Sequence, residues 1–216
     1  MTNTKTTATV DYSLKLTLNH TGKMSGLQSL STACTLNTRC QKYSKINGAI
    51  CQKCYAQNMF KRYGENFNNA FEHNYRVLTK SIIPVEYLPK INSLYFRFEA
   101  FGDLQNTKQF INYLNICNHN PRTNFAIWTK NPDIIQKVFN SGYEKPENLN
   151  ILVSSLFINQ PANFSKYNFI DKIFTVYSKD YIKSNNININ CGARDCAGCL
   201  KCYTKNSITV INEMLK

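Results

Sequence analysis

The chain has 216 residues, 43% hydrophobic and 12% aromatic, which suits one globular domain with its own core. No run of roughly eighteen apolar residues occurs, so the composition excludes a helical membrane span. With 26 Lys and Arg against 13 Asp and Glu, the formal charge is +13 and the pI about 9.3, which fits a polyanionic partner such as nucleic acid. The chain is also rich in Asn, Lys, Ile and Tyr, the residues that AT-rich codons specify, so coding bias alone supplies many of the lysines.

In chain order, residues 1–13 are polar and Thr-rich, and the start Met1-Thr-Asn-Thr-Lys5 has no apolar stretch behind it. A cytoplasmic, reducing compartment is therefore expected. Leu14–Leu18 alternates apolar and polar and predicts a strand, with a turn at Asn19–Gly22. Residues 23–54 form a long irregular stretch, which a bound metal would order. From Ala56 to about Ile82, Phe60, Tyr63, Phe67, Phe71, Tyr75 and Leu78 recur at helical spacing, with a break expected at Gly64. Leu94–Phe101 predicts a strand ending in Gly102-Asp103, and residues 106–118 an amphipathic helix. Phe125–Thr129 is the next strand, and Pro132 sits in the first turn of the next helix, which stops by Gly142. Leu149–Leu156 and Lys172–Tyr177 predict two further strands, and 179–184 a short helix.

Strands alternating with helices imply βαβ units and a parallel α/β sheet, wound either as an open doubly wound sheet or as a barrel-like arc. In both, chemistry sits at the C-terminal ends of the strands. The expected organisation is one domain: an arm or hairpin over 1–22, a partial barrel over 23–190, and a cysteine-rich tail over 191–216. No GxGxxG or GxxxxGK[ST] is present, which argues against dinucleotide and P-loop chemistry.

Eight of the nine cysteines fall into two groups: Cys34, Cys40, Cys51 and Cys54, then Cys191, Cys196, Cys199 and Cys202. A CxxC turn sets two sulfurs on one side of a tight loop, so each group can converge on one metal centre. Disulfides are the rival reading, but bunched cysteines in a reducing compartment favour metal. If three thiols of the first group bind an iron–sulfur cluster, namely Cys34, Cys51 and Cys54, one iron is left open; if Cys40 binds as well, the site is closed and structural. The second group has spacings compatible with a second [4Fe–4S] cluster and with zinc. Arg194 and Lys201 stand beside its sulfurs in sequence and would offset their charge.

The polar strand ends supply further candidates. Gly102 would admit a ligand close to the backbone, and Asp103 would bond an amino group, the alternative being an ordinary strand-end turn. Arg97 and Glu99, two apart in a strand, would pair inside the barrel or both face solvent. Thr129, Lys130 and Ser154 would hold a carboxylate or phosphate at the rim. The three histidines lack partners at ligand spacing, no Ser/His/Asp arrangement stands out, and no catalytic residue is assigned.

Together, the cysteine loop after the first strand, the Gly102-Asp103 strand end and the C-terminal cysteine run resemble a reduced radical S-adenosylmethionine (SAM) enzyme. More closely, Gln28-Ser-Leu-Ser-Thr-Ala-Cys34, Cys51-Gln-Lys-Cys54-Tyr55-Ala56, Arg97-Phe-Glu-Ala-Phe-Gly102-Asp103, Trp128-Thr129-Lys130 and Cys196-Ala-Gly-Cys199-Leu-Lys-Cys202-Tyr203 are similar to motifs of the phage "gene product eighty-eight" type family. Departures are Ser31 for a Pro, Phe101 for a Ser, Tyr203 for a Trp, and a first cysteine loop that is not Cys-x3-Cys-x2-Cys. The resemblance implies a partial (βα)6 barrel, a [4Fe–4S] cluster, SAM contacted near Gly102 and Asp103, and reductive cleavage of SAM to act on a nucleic-acid, nucleotide or other substrate. A non-catalytic, zinc-stabilised nucleic-acid-binding module is the alternative, and a host-interaction protein that has lost turnover is a third.

Overall fold

Strand neighbours in the sheet are strand neighbours in the chain. The computed structural model describes residues 11–215, and among these seven strands pair in the order β1 to β7. They are β1 (Thr17–Leu18), β2 (Gln28–Leu30), β3 (Tyr95–Phe98), β4 (Asn124–Thr129), β5 (Leu149–Ser154), β6 (Lys172–Tyr177) and β7 (Val210–Met214). β1 runs antiparallel to β2, and every later pair is parallel. Strictly sequential order leaves no point at which the winding reverses, so the doubly wound alternative does not apply. β7 does not return to β1, so the sheet is open and is not a closed barrel.

Helices fill the crossovers: α1 (Thr38–Tyr43), α2 (Tyr55–Arg62) and α3 (Glu65–Lys80) between β2 and β3, α4 (Thr107–His119) after β3, α5 (Pro132–Asn140) after β4, and α6 (Lys179–Asn185) and α7 (Cys196–Cys199) between β6 and β7. One sheet face carries Leu30, Phe96, Phe98, Phe125, Ile127, Leu149, Ile151 and Val153. It packs on Leu78 of α3, on Phe110, Tyr113 and Leu114 of α4, and on Ile134, Ile135 and Val138 of α5. The opposite face presents Ala126 and Leu152, and the C-terminal segment lies on it through Tyr203, Cys196, Ala197, Leu200 and Cys202. β5 is buried along its whole length, the mark of a central parallel strand.

Local signals explain most boundaries. Tyr63 closes α2 and Gly64 is the N-cap of α3, so the break falls where Gly64 in the helical pattern predicts it. Asn106 caps α4 by accepting from the Gln109 amide, and Pro132 occupies the first turn of α5.

Elsewhere the structure departs from the sequence reading. The irregular stretch 23–54 contains β2 and α1, and the cysteine-rich tail contains β7, which lies beside β6 with Phe174 opposite Ile211. The arm reaches beyond Gly22, because β1 makes its hairpin with β2. Only Thr17–Leu18 of the first predicted strand is extended in the sheet, while Leu14 and Leu16 pack on the core. The strand predicted over Leu94–Phe101 stops at Phe98, because Glu99 has a left-handed backbone with φ of 56°. The Thr-rich residues 1–10 lie outside the described residues. No helix among the described residues is long and apolar enough to cross a membrane.

Candidate metal centres

All nine cysteines are free thiols, so neither group is tied by disulfides. The first group is assembled from four successive pieces of the β2–β3 crossover. Cys34 follows β2 and is buried. Cys40 rides on α1, whose cap Asn37 accepts from the Arg39 and Cys40 amides and donates from Nδ2 to the Asp103 carbonyl at 2.7 Å. Arg39 pairs with Asp133 at 2.9 Å, and the Tyr43 hydroxyl donates to Asn131. These contacts lay α1 across the C-terminal ends of β3 and β4. Cys51 lies in a short 3-10 turn tethered by the Ile50 amide to the Leu156 carbonyl, and Cys54 caps α2.

The four sulfurs act on one another. Burial is the largest cause raising the Cys34 thiol to about 12, and the neighbouring Cys54 adds to it. Burial likewise pushes Cys40 far up, reinforced by Asp103 and by Cys34, Cys51 and Cys54. Cys51 is raised by burial and opposed by Lys130. Cys40, which sequence reasoning left undecided, thus faces the other three. Even so, among the described residues no three His, Cys, Asp or Glu side chains are gathered tightly enough to hold a metal ion. Protonated thiols gain nothing by closing up, because a metal-thiolate site forms only as metal replaces the protons.

The strand-end candidates divide. Asp103 is buried, and its carboxylate accepts from the Thr129 hydroxyl at 2.5 Å, the Lys130 amide at 3.1 Å and the Leu104 amide at 2.7 Å. Thr129 therefore braces Asp103. A Cβ at Gly102 would stand 2.1 Å from Glu99 Oε2 and 2.7 Å from the Thr32 carbonyl, so Gly102 is required by packing within the protein. Lys130 is the rim residue whose charge the first cysteine group affects. Burial works against its charge, but Cys51, Asp103, Cys40 and Cys54 outweigh it and raise its pKa. Ser154 is buried at the end of β5 and is not joined to the cysteines by any described hydrogen bond.

Glu99 and Arg97 do not pair, and neither faces open solvent. The positive φ at Glu99 breaks the alternation of the strand and turns its side chain toward α4. There it accepts from Thr32 Oγ1 at 2.9 Å, Gln109 Nε2 at 2.7 Å and the Tyr113 hydroxyl. Burial pushes its carboxyl up to about 8. Arg97 points to the opposite face and lies over the Trp128 ring, 4.1 Å from its centroid. Its Nη1 meets the Met24 sulfur at 3.5 Å, and its Nε is buried without a partner. Burial opposes its charge, and Tyr55, Tyr203, Cys196 and Cys202 raise its pKa in return. Arg97 is thus near enough to Tyr55, the residue after Cys54, and to two thiols of the second group for their charges to act on it.

That second group closes on the free sheet face. Asp195 caps α7 through the Gly198 amide, Leu200 ends it at φ of 53°, and buried Tyr203 packs on Trp128 and Tyr95. Cys202 is raised to about 12, first by burial and then by Cys191 and Cys196. The cations at these sulfurs are not the expected Arg194 and Lys201. Lys201 bonds the Asn190 carbonyl, whereas Lys23 reaches the Cys191 sulfur at 3.3 Å and Glu213 at 2.6 Å. Both effective cations, Lys23 and Arg97, come from distant sequence, so spacing could not reveal them. Following the last strand predicted from the sequence, the group would be expected at the C-terminal ends of the strands, but hydrophobic contact with Leu27, Ala126 and Leu152 seats it on the sheet face.

A family model described as Gene product 88 matches residues 1–213. No curated protein and no solved structure matches the chain.

Proposed function

The chain belongs to the phage-associated Gene product 88 family, and on that footing we propose that it is a two-centre thiolate metalloprotein serving redox chemistry. Cys34, Cys40, Cys51 and Cys54 would hold one centre, and Cys191, Cys196, Cys199 and Cys202 the other. Desolvated neighbouring thiols are a poor arrangement in themselves, since burial and the nearby sulfurs raise the cost of ionising Cys34, Cys40 and Cys51 in the first group and Cys191, Cys196 and Cys202 in the second. A bound cation removes that cost, and the thiolate donor set suits iron–sulfur or zinc.

The observation that carries the redox reading is the position of Arg97. Its guanidinium acts on Tyr55, which follows Cys54, and on Cys196 and Cys202. A charge that acts both on the neighbour of Cys54 and on two thiols of the second group suits an electron relay better than two independent structural staples. A bound iron–sulfur cluster would supply one-electron transfer at potentials set by charge and hydrogen bonding around the sulfurs. This chain's part is to place Lys130 against the first set of thiols and Arg97 and Lys23 against the second. An open partial barrel of six parallel strands remains part of this proposal. The SAM role that the resemblance implies for Gly102 and Asp103 does not fit the residues as they stand. Asp103 is already bonded by Thr129, Lys130 and Leu104, and the space at Gly102 is filled by Glu99 and Thr32.

Anaerobic purification, followed by iron, sulfide and zinc analysis and by electron paramagnetic resonance after dithionite reduction, tests this. Iron and acid-labile sulfide with a signal on reduction are expected. Colourless protein carrying two zinc ions per chain would overturn the redox reading and leave a zinc-stabilised module.

A further inference from the structure

Charge along the chain is very uneven. Between Asp11 and Glu65 there are eight Lys and Arg and not one Asp or Glu, and this span contains the whole first cysteine group. Three of the eight cations are engaged: Lys15 with Ser13, Lys23 with Glu213 and Arg39 with Asp133. The other five, Lys42, Lys45, Lys53, Lys61 and Arg62, are exposed and make no ion pair or side-chain hydrogen bond among the described residues. They follow α1, the Cys51 turn and α2, the elements that surround the first group. Two exposed aromatic rings stand among them. Tyr55 is 57% exposed and rests against Phe101, and Tyr63 is 46% exposed and rests against Phe67 at 4.9 Å.

We propose that the surface formed by Lys42, Lys45, Lys53, Lys61 and Arg62, with Tyr63 and Tyr55 between them, binds single-stranded nucleic acid and leads it past the first cysteine group. Cations that lack internal partners can take up phosphates and release counterions. Exposed rings braced by an internal aromatic neighbour, tilted to it by 57° at Tyr55 and 31° at Tyr63, can offer a face to a base, and such stacking is indifferent to sequence. A duplex offers phosphates but no free base faces, so the exposed tyrosines select the single strand. Any anionic surface would meet the cations, but a lipid membrane would have no use for ring stacking. The inference stands on surface charge and exposed rings and is independent of what the thiols hold.

Fluorescence anisotropy of the full-length protein with a labelled oligothymidylate of roughly sixteen nucleotides tests it. Binding should weaken with salt. In Lys42→Gln/Lys45→Gln/Lys53→Gln the slope of log affinity against log salt should fall by about 2, since each single-strand phosphate contact contributes about 0.7. Tyr63→Ala should weaken binding roughly tenfold with the slope unchanged. The control Lys137→Gln/Lys179→Gln/Lys183→Gln, on exposed lysines of α5 and α6, should bind as wild type. Equal losses in both triple variants would overturn the proposal, as would equal affinity for a duplex of the same length. So would sedimentation with phosphatidylserine vesicles in the absence of oligonucleotide binding. Iron–sulfur content would be unchanged in all these variants, so failure here is distinct from failure of the metal reading.

Discussion

The guanidinium of Arg97 lies over the ring of Trp128, 4.1 Å from its centroid, close enough to Tyr55, Cys196 and Cys202 for these groups to raise its pKa. The two residues come from adjacent strands, β3 and β4, and share the sheet face that the C-terminal cysteines cover. A cation held over an aromatic ring keeps its charge in place without a carboxylate partner.

Arg97→Gln removes that charge. The C-terminal centre should lose roughly tenfold to hundredfold in metal affinity, the usual cost of losing a group that supports the ligands from behind. Competition with a chelator, in a background that retains only the C-terminal cysteines, measures it. Arg97→Lys should recover part of the loss through charge alone, because the ammonium cannot spread over the ring as the guanidinium does.

Gly102→Ala should destabilise the fold. The new methyl meets Glu99 Oε2 at 2.1 Å and the Thr32 carbonyl at 2.7 Å, and the carbonyl belongs to backbone that cannot swing away. A cost of about 1–3 kcal/mol is expected from overpacking, read by urea denaturation at constant metal loading. An unchanged midpoint would mean that the hook between β3 and α4 is looser than its contacts imply.

Stability should depend on pH through Glu99. Its carboxyl is pushed from the ordinary range up to about 8 by burial, so the folded state holds a proton that the unfolded chain gives up. The contribution is complete below the unfolded carboxyl pKa, is lost as pH rises toward about 8, and is flat above that. The loss runs at no more than about 1.4 kcal/mol per pH unit. Glu99→Gln keeps the shape and carries no ionisable proton, so its stability should be nearly level across that window. Denaturant midpoints measured at several pH values compare the two.

Asn37→Ala should affect one centre only. It removes the cap of α1 and the bond to the Asp103 carbonyl, at a cost of about 1–2 kcal/mol. Cys40 would then lose its fixed position, so metal content at the first group should fall while the second is retained.

What could be read in the sequence followed periodicity. α3, α4 and α5 announce themselves by aromatic and aliphatic spacing, and β4, β5 and β6 by apolar runs that the structure keeps almost to the residue. β2 has three residues, Gln-Ser-Leu, too few to show a period, and it exists because Phe96 to Phe98 lie alongside in register. α1 depends on its cap Asn37 and on anchors to Asp133 and Asn131, contacts that span more than ninety positions of sequence. The cysteine groups were legible from spacing. Their cations were not: Arg194 and Lys201 are near in sequence, but Lys23 and Arg97 are near in space. The expected pairing of Arg97 with Glu99 fails at a single left-handed residue, which strand alternation cannot foresee.

The existence of two separate thiolate centres is tested most directly by metal and sulfide content per chain, measured anaerobically in wild type, Cys51→Ala/Cys54→Ala and Cys199→Ala/Cys202→Ala, with circular dichroism confirming that each is folded. Each double variant should lose one centre and keep the other. Folded variants with unchanged metal content, or with none at all in both cases, would contradict two independent sites.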